Sequence, residues 1–145
     1  MIDNRTAPYA ALVLRISLGV MFLAHGFILK FMVFTLPGTA QFFGSLGLPP
    51  ASAYIVFLAE TLGGIALIVG FKARYVALAL MPVLLGATWV HAANGWVFTA
   101  QGGGWEYPVF LIAASAVQAL LGSGAYAWDP ALPFARQAAL AEPAE

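Results

Sequence analysis

The sequence predicts an all-α integral membrane protein, a single domain built as a bundle of four transmembrane helices. Three observations carry that expectation: 62% of the 145 residues are hydrophobic, only 8% are charged, and apolar runs long enough to cross a bilayer recur along the chain. A soluble domain carries about one quarter charged residues, because its surface must meet water. Six basic and six acidic side chains cancel to zero net charge, and no Lys/Arg cluster offers a footprint for nucleic acid. Cysteine is absent, so the chain forms no disulfide and relays no thiol electrons through its own sulfur.

The first span is expected over residues 9–34, longer than a perpendicular crossing needs, with Pro37 and Gly38 ending it. It carries Arg15, His25 and Lys30 and no small-residue cleavage site follows, so it reads as a retained helix and not a removable signal. A loop over 39–50 contains Gly44, Gly47 and the Pro49–Pro50 pair; Phe42, Phe43, Leu46 and Leu48 make it apolar enough to lie at the interface or fold back. The second and third spans, 51–70 and 75–93, are joined by a short turn and must form an antiparallel hairpin. Pro82 is expected to kink the third span by freeing the carbonyl near Leu78. Gly102, Gly103 and Gly104 precede the fourth span, 106–121, whose first turn tolerates Pro108. The tail 122–145 then leaves the membrane, with 133–142 reading as a short surface helix.

Arg5, Lys72, Arg74 and Arg136 flank one side of these spans, whereas the connections 35–50 and 94–105 contain no Lys or Arg. Short cytoplasmic loops collect positive charge, which predicts a multi-pass inner-membrane protein with both termini in the cytoplasm. Tyr9, Tyr75, Tyr126 and Trp128 then mark the inner interface, and Tyr54, Trp96, Trp105 and Tyr107 the outer one.

Ionisable side chains inside a membrane cost roughly 2.5 to 3.5 kcal/mol each, so each requires a partner or a task. At about 1.5 Å per residue, His25, Glu60 and His91 all fall between the bilayer middle and its outer face. Asn94 lies one turn beyond His91, Lys30 stands near the outer end of the first span, and Glu106 and Tyr107 open the fourth. These seven residues form the candidate ligand-binding set, and His25, Glu60, His91 and Glu106 are expected to share one cavity. Arg15 sits nearer the cytoplasm, where a structural ion pair with Glu60 is expected, the alternative being a side chain that snorkels to the inner interface. Two histidines at similar depth suggest haem ligation, or a metal ion if Glu60 or Glu106 joins them; two ligands on separate helices carry neither reading, and no metal ligand is assigned. The small residues Ala59, Gly63, Ala66 and Gly70 read as a close-packing face of the second helix.

The segments RISLGVMFLAHGFILK, FFGSLGLPP, LAETLGGIALIVGFKAR, HAANGW and GGGWEYP, in that order, make nearly the whole chain resemble the DoxX family. The resemblance implies a small four-helix membrane protein tied to respiratory or thiol redox chemistry, since related subunits belong to thiosulfate:quinone oxidoreductases and to oxidative-stress membrane complexes. The family's polar positions fall on Arg15, His25, Gly26, Lys30, Glu60, Gly63, Gly64, Arg74, His91, Asn94, Gly95, Glu106 and Tyr107. The expected function is that of a subunit of a membrane oxidoreductase system holding a quinone, or a similar lipid-soluble carrier, in the outer half of the bundle. The bilayer, a redox partner protein or subunit, and further copies of the chain are the partners this implies. A membrane anchor or assembly protein, or a path for a small solute, is the non-enzymatic rival.

Overall fold

The computed structural model describes residues 3–128, so the surface helix expected over 133–142, and Arg136 with it, lie outside the described residues. Within 3–128 the chain is helical and without strands. Helices α1 (Ala7–Leu23), α2 (Leu36–Ser45), α3 (Ala51–Val69), α4 (Ala73–His91) and α5 (Glu106–Leu121) make five where four were expected. A π-helix, Ala24–Val33, continues α1, and a short 3-10 turn, Ala92–Asn94, extends α4.

The additional helix is α2, which occupies most of the stretch expected to be a loop. Thr35 caps it, its hydroxyl accepting the Gly38 N–H at 3.3 Å, and Pro37 sits in the first turn, where its missing N–H has no intrahelical partner to lose. Pro37 therefore opens a helix; it does not simply close the one before. Helix α4 runs unbroken through Pro82 to His91.

Three helical stretches, Ala7–Val33, Ala51–Val69 and Ala73–Asn94, are long and apolar enough to cross a membrane. Helix α5, at 16 residues, is shorter. Val13, Val20, Ile55, Leu62, Leu85, Phe110 and Leu120 all point away from the protein interior. Water would penalise such a girdle and lipid tails do not, so this is the surface of a membrane protein.

Inside, Leu18 and Phe22 of α1, Leu67 of α3, Ala77, Leu80 and Leu84 of α4, and Leu111 and Ala119 of α5 form the core. Helices α1 and α3 cross with their backbones in contact: a Cβ on Gly19 would stand 2.8 Å from the Gly64 carbonyl oxygen, and one on Gly64 equally 2.8 Å from that of Gly19. Of the expected small-residue face, Gly63 packs on Leu80 of α4, while Gly64, outside that face, makes the α1 contact. Gly70 ends α3 in the left-handed conformation, φ 81°.

The two ends of the bundle differ. At one end the Ala125 N–H donates to the Pro8 carbonyl and the Trp128 N–H to the Val69 carbonyl, both at 2.9 Å, so the start of α1, the α3–α4 turn and the segment after α5 meet. The Arg74 guanidinium reaches the Leu120 carbonyl there at 3.4 Å. Helix α2 and the 95–105 connection lie at the opposite end, and α5 runs from that connection, where the Glu106 N–H donates to the Trp96 carbonyl, to the shared end, where the Leu120 carbonyl meets Arg74.

Candidate functional site

The π-helix builds the site. Its wider turn is confirmed at its end, where the Phe34 N–H donates to the Leu29 carbonyl five residues back at 2.8 Å. Gly26 is buried in it against α3: a Cβ there would meet Glu60 Cβ at 2.9 Å and the Thr61 nitrogen at 3.0 Å. With no side chain at that point the two helices approach closely, and Lys30, four residues on, extends to Glu60. The ammonium donates to Glu60 Oε2 at 2.6 Å, and this is the one ion pair among the described residues.

Glu60 is therefore paired, but not with the expected residue. The Arg15–Glu60 pair does not exist in this fold, because both groups are committed elsewhere: Arg15, 1% exposed, gives its donors to backbone carbonyls. Its Nε donates to Ser123, Nη1 to Leu67 and Ile68, and Nη2 to Ala125 and Tyr126. Leu67 and Ile68 lie in the last turn of α3, whose carbonyls carry the negative end of the helix dipole; that of Leu67 also accepts the Gly70 N–H at 3.1 Å. The cation is held by peptide dipoles in place of a carboxylate. It does not snorkel.

A cavity of about 550 Å³ opens between the π-helix, α2 and the end of α4, lined by His25, Leu29, Lys30, Phe34, Gly38, Thr39, Phe42, Phe43 and His91. Three of the expected residues, His25, Lys30 and His91, thus face one space, with Glu60 behind Lys30 and only 6% exposed. The His25 Nδ1 lies 2.9 Å from the Met21 carbonyl oxygen of its own helix. The His91 Nδ1 lies 3.0 Å from the carbonyls of both Gly102 and Gly103. Asn94 Nδ2 donates to the same two carbonyls, at 3.0 and 2.9 Å, so its task is to fold the 95–105 connection back over α4.

Glu106 and Tyr107 stand apart from this cavity, contrary to the expectation that Glu106 would share it. They line a second space of about 500 Å³ with Trp96, Phe98, Val109, Phe110 and Ala113, and Glu106 Oε1 accepts the Phe98 N–H at 2.8 Å. The ring of Tyr107 stacks on His25, centroids 6.2 Å apart and planes inclined by 28°, and so forms part of the wall between the two spaces. Among the described residues no three His, Cys, Asp or Glu side chains converge as a metal ion requires.

Sequence reasoning omitted the aromatic half of the site, Phe34, Phe42 and Phe43. The signal that would have found it is Thr35 followed by Pro37, the start pattern of a helix. Thr39 completes the joint, its hydroxyl lying 2.9 Å from the Thr35 carbonyl and 3.2 Å from that of Lys30, which ties α2 to the π-helix.

Against known proteins, the DoxX family profile matches residues 10–93. The chain is also 33% identical to "Putative oxidoreductase CatD" of Bacillus subtilis (strain 168) over 127 residues, covering 88% of this chain and 90% of that protein. No solved structure matches it.

Proposed function

Since the chain belongs to the DoxX family, we propose that it is the membrane subunit of an oxidoreductase system and holds a quinone, or a similar lipophilic carrier, between the π-helix, α2 and α4. The cavity carries this reading: a carrier ring needs an apolar slot and a few fixed polar groups at its oxygens. Leu29, Phe34, Phe42 and Phe43 supply the slot, and Lys30, His25 and His91 supply the polar groups. The related "Putative oxidoreductase CatD" supports redox chemistry as the context.

In this reading the protein crosses an inner membrane four times. The shared end of the bundle, with Arg5, Lys72 and Arg74, faces the cytoplasm and the cavity lies toward the outer face. A fourth crossing by α5 is supported by its running the height of the bundle beside α4, local thinning of lipid accommodating its shortness. A continuous solute path finds no support, because Leu18, Phe22, Leu67 and Leu80 close the interior between the cavity and the cytoplasmic end. A redox partner protein would supply or remove electrons, since a chain without cysteine relays none through its own sulfur.

The test is organic extraction of protein purified from native membranes. Quinone is expected in excess over the lipid background, and Lys30→Ala or His25→Ala is expected to reduce it. Wild-type protein that carries no quinone above that background would contradict the proposal.

A further inference from the structure

The hydrogen bonds of the two histidines define what the cavity can recognise. A carbonyl oxygen only accepts, so the Nδ1 of His25, 2.9 Å from the Met21 carbonyl, must bear the proton. The same holds for the Nδ1 of His91, which faces the carbonyls of Gly102 and Gly103 at 3.0 Å. A neutral imidazole carries one proton, and neutrality is the form that costs least inside a membrane. In both rings Nε2 is therefore left with a lone pair and no hydrogen. Both residues line the cavity, and the ring nitrogen left uncommitted in each is an acceptor. Lys30 is the complement, since one of its three N–H groups donates to Glu60 and the others remain.

We infer that the cavity selects the reduced, hydroxyl-bearing form of an aromatic carrier, an aromatic diol, over the corresponding dione, because His25 and His91 both offer Nε2 as an acceptor. This rests on the carrier-binding reading above and specifies its ligand. A diol brings two O–H donors for two acceptors, and its oxygens still accept from Lys30. A dione brings acceptors alone; it satisfies Lys30 and sets carbonyl lone pairs against imidazole lone pairs. Both imidazoles are half-buried, and two acceptors left facing carbonyl lone pairs set the preference at about ten-fold in affinity, about 1.4 kcal/mol.

The experiment uses the full chain in lipid nanodiscs under anaerobic conditions, with tetramethyl-1,4-hydroquinone and tetramethyl-1,4-benzoquinone as probes. Empty nanodiscs give the background to subtract. The expected result is a hydroquinone Kd lower than that of the quinone by about ten-fold. His25→Phe and His91→Phe should each shrink the preference, and the two together should bring the two forms close to parity. His25→Leu serves if the Phe variant fails to fold, since it removes Nε2 without supplying another acceptor. Equal binding of the two forms, or tighter binding of the quinone, overturns the selectivity and leaves the carrier site standing. So does a preference that survives the loss of both imidazoles, in His91→Phe combined with His25→Phe or His25→Leu. Binding of neither probe above empty nanodiscs overturns the carrier site itself, and the selectivity with it.

Discussion

Each of the five N–H donors of Arg15 has a backbone carbonyl to meet, and this explains how a guanidinium can be buried in the apolar interior without a carboxylate beside it. The planar fork spans two segments at once, the last turn of α3 and residues 123–126, which an ammonium on a flexible stem does not reproduce. Arg15→Lys should therefore lower stability by about 2 to 4 kcal/mol, as several buried carbonyls lose a charged donor. Thermal unfolding in detergent checks it, with Arg74→Lys as the control whose single 3.4 Å bond is exposed and should matter little. Equal midpoints would mean that the carbonyls are satisfied in some other way. That Arg15 and Glu60 need partners was legible in the sequence, since both are charges within apolar spans. Which partners they take was not, because the approach of Lys30 to Glu60 depends on a π-helix and on Gly26. The pair itself makes a second prediction. Removing one member, by Lys30→Met or Glu60→Leu, strands a buried charge and should cost roughly 3 to 5 kcal/mol, whereas the double variant should be more stable than either single one. A double variant whose loss equals the sum of the two would show that the groups act independently.

Among the elements, α1 and α3 meet backbone to backbone, and this contact depends on the absence of two side chains. Gly64→Ala would drive a methyl group to 2.8 Å from the Gly19 carbonyl and the Leu23 nitrogen, neither of which is a flexible end that can yield. We expect a loss of about 1 to 3 kcal/mol. Gly86 of α4 is the contrasting case, a Cβ there meeting nothing within 4 Å, so Gly86→Ala should be neutral or slightly stabilising through helix propensity. Similar melting temperatures for the two alanine variants would contradict the crossing. Spans 51–70 and 75–93 were readable because hydrophobic length and a short turn leave few alternatives, and they correspond to α3 and α4. Helix α2 was hidden for a local reason. Pro37 both ends a span and starts a helix, and at ten residues α2 is too short for apolar length to reveal.

At the scale of the whole molecule, the shared end of the bundle gathers Arg5, Lys72 and Arg74, while the 95–105 connection at the other end has neither Lys nor Arg. The proposed orientation puts the first end in the cytoplasm. With no native cysteine to confuse labelling, Lys72→Cys and Gln101→Cys report the two ends, both positions being exposed. A membrane-impermeant thiol reagent added to intact cells should label position 101 and spare 72; the reverse pattern would invert the topology. The all-helical membrane architecture was legible because composition alone excludes water as the solvent of these helices. That His25, Lys30 and His91 line one space was legible in part from their depth, whereas the placing of Glu106 and Tyr107 at a second space was not, because it depends on how the 95–105 connection folds onto α5. The central claim is that a lipophilic carrier occupies the space between the π-helix, α2 and α4. Photolabelling of the protein in membranes with an azido-quinone, followed by peptide mapping, addresses it most directly. Adducts should fall within residues 24–43 and at His91, and competition with unlabelled quinone should abolish them. Adducts confined to the outward-facing residues Val13, Ile55, Leu85 and Leu120, or indifferent to competitor, would contradict it.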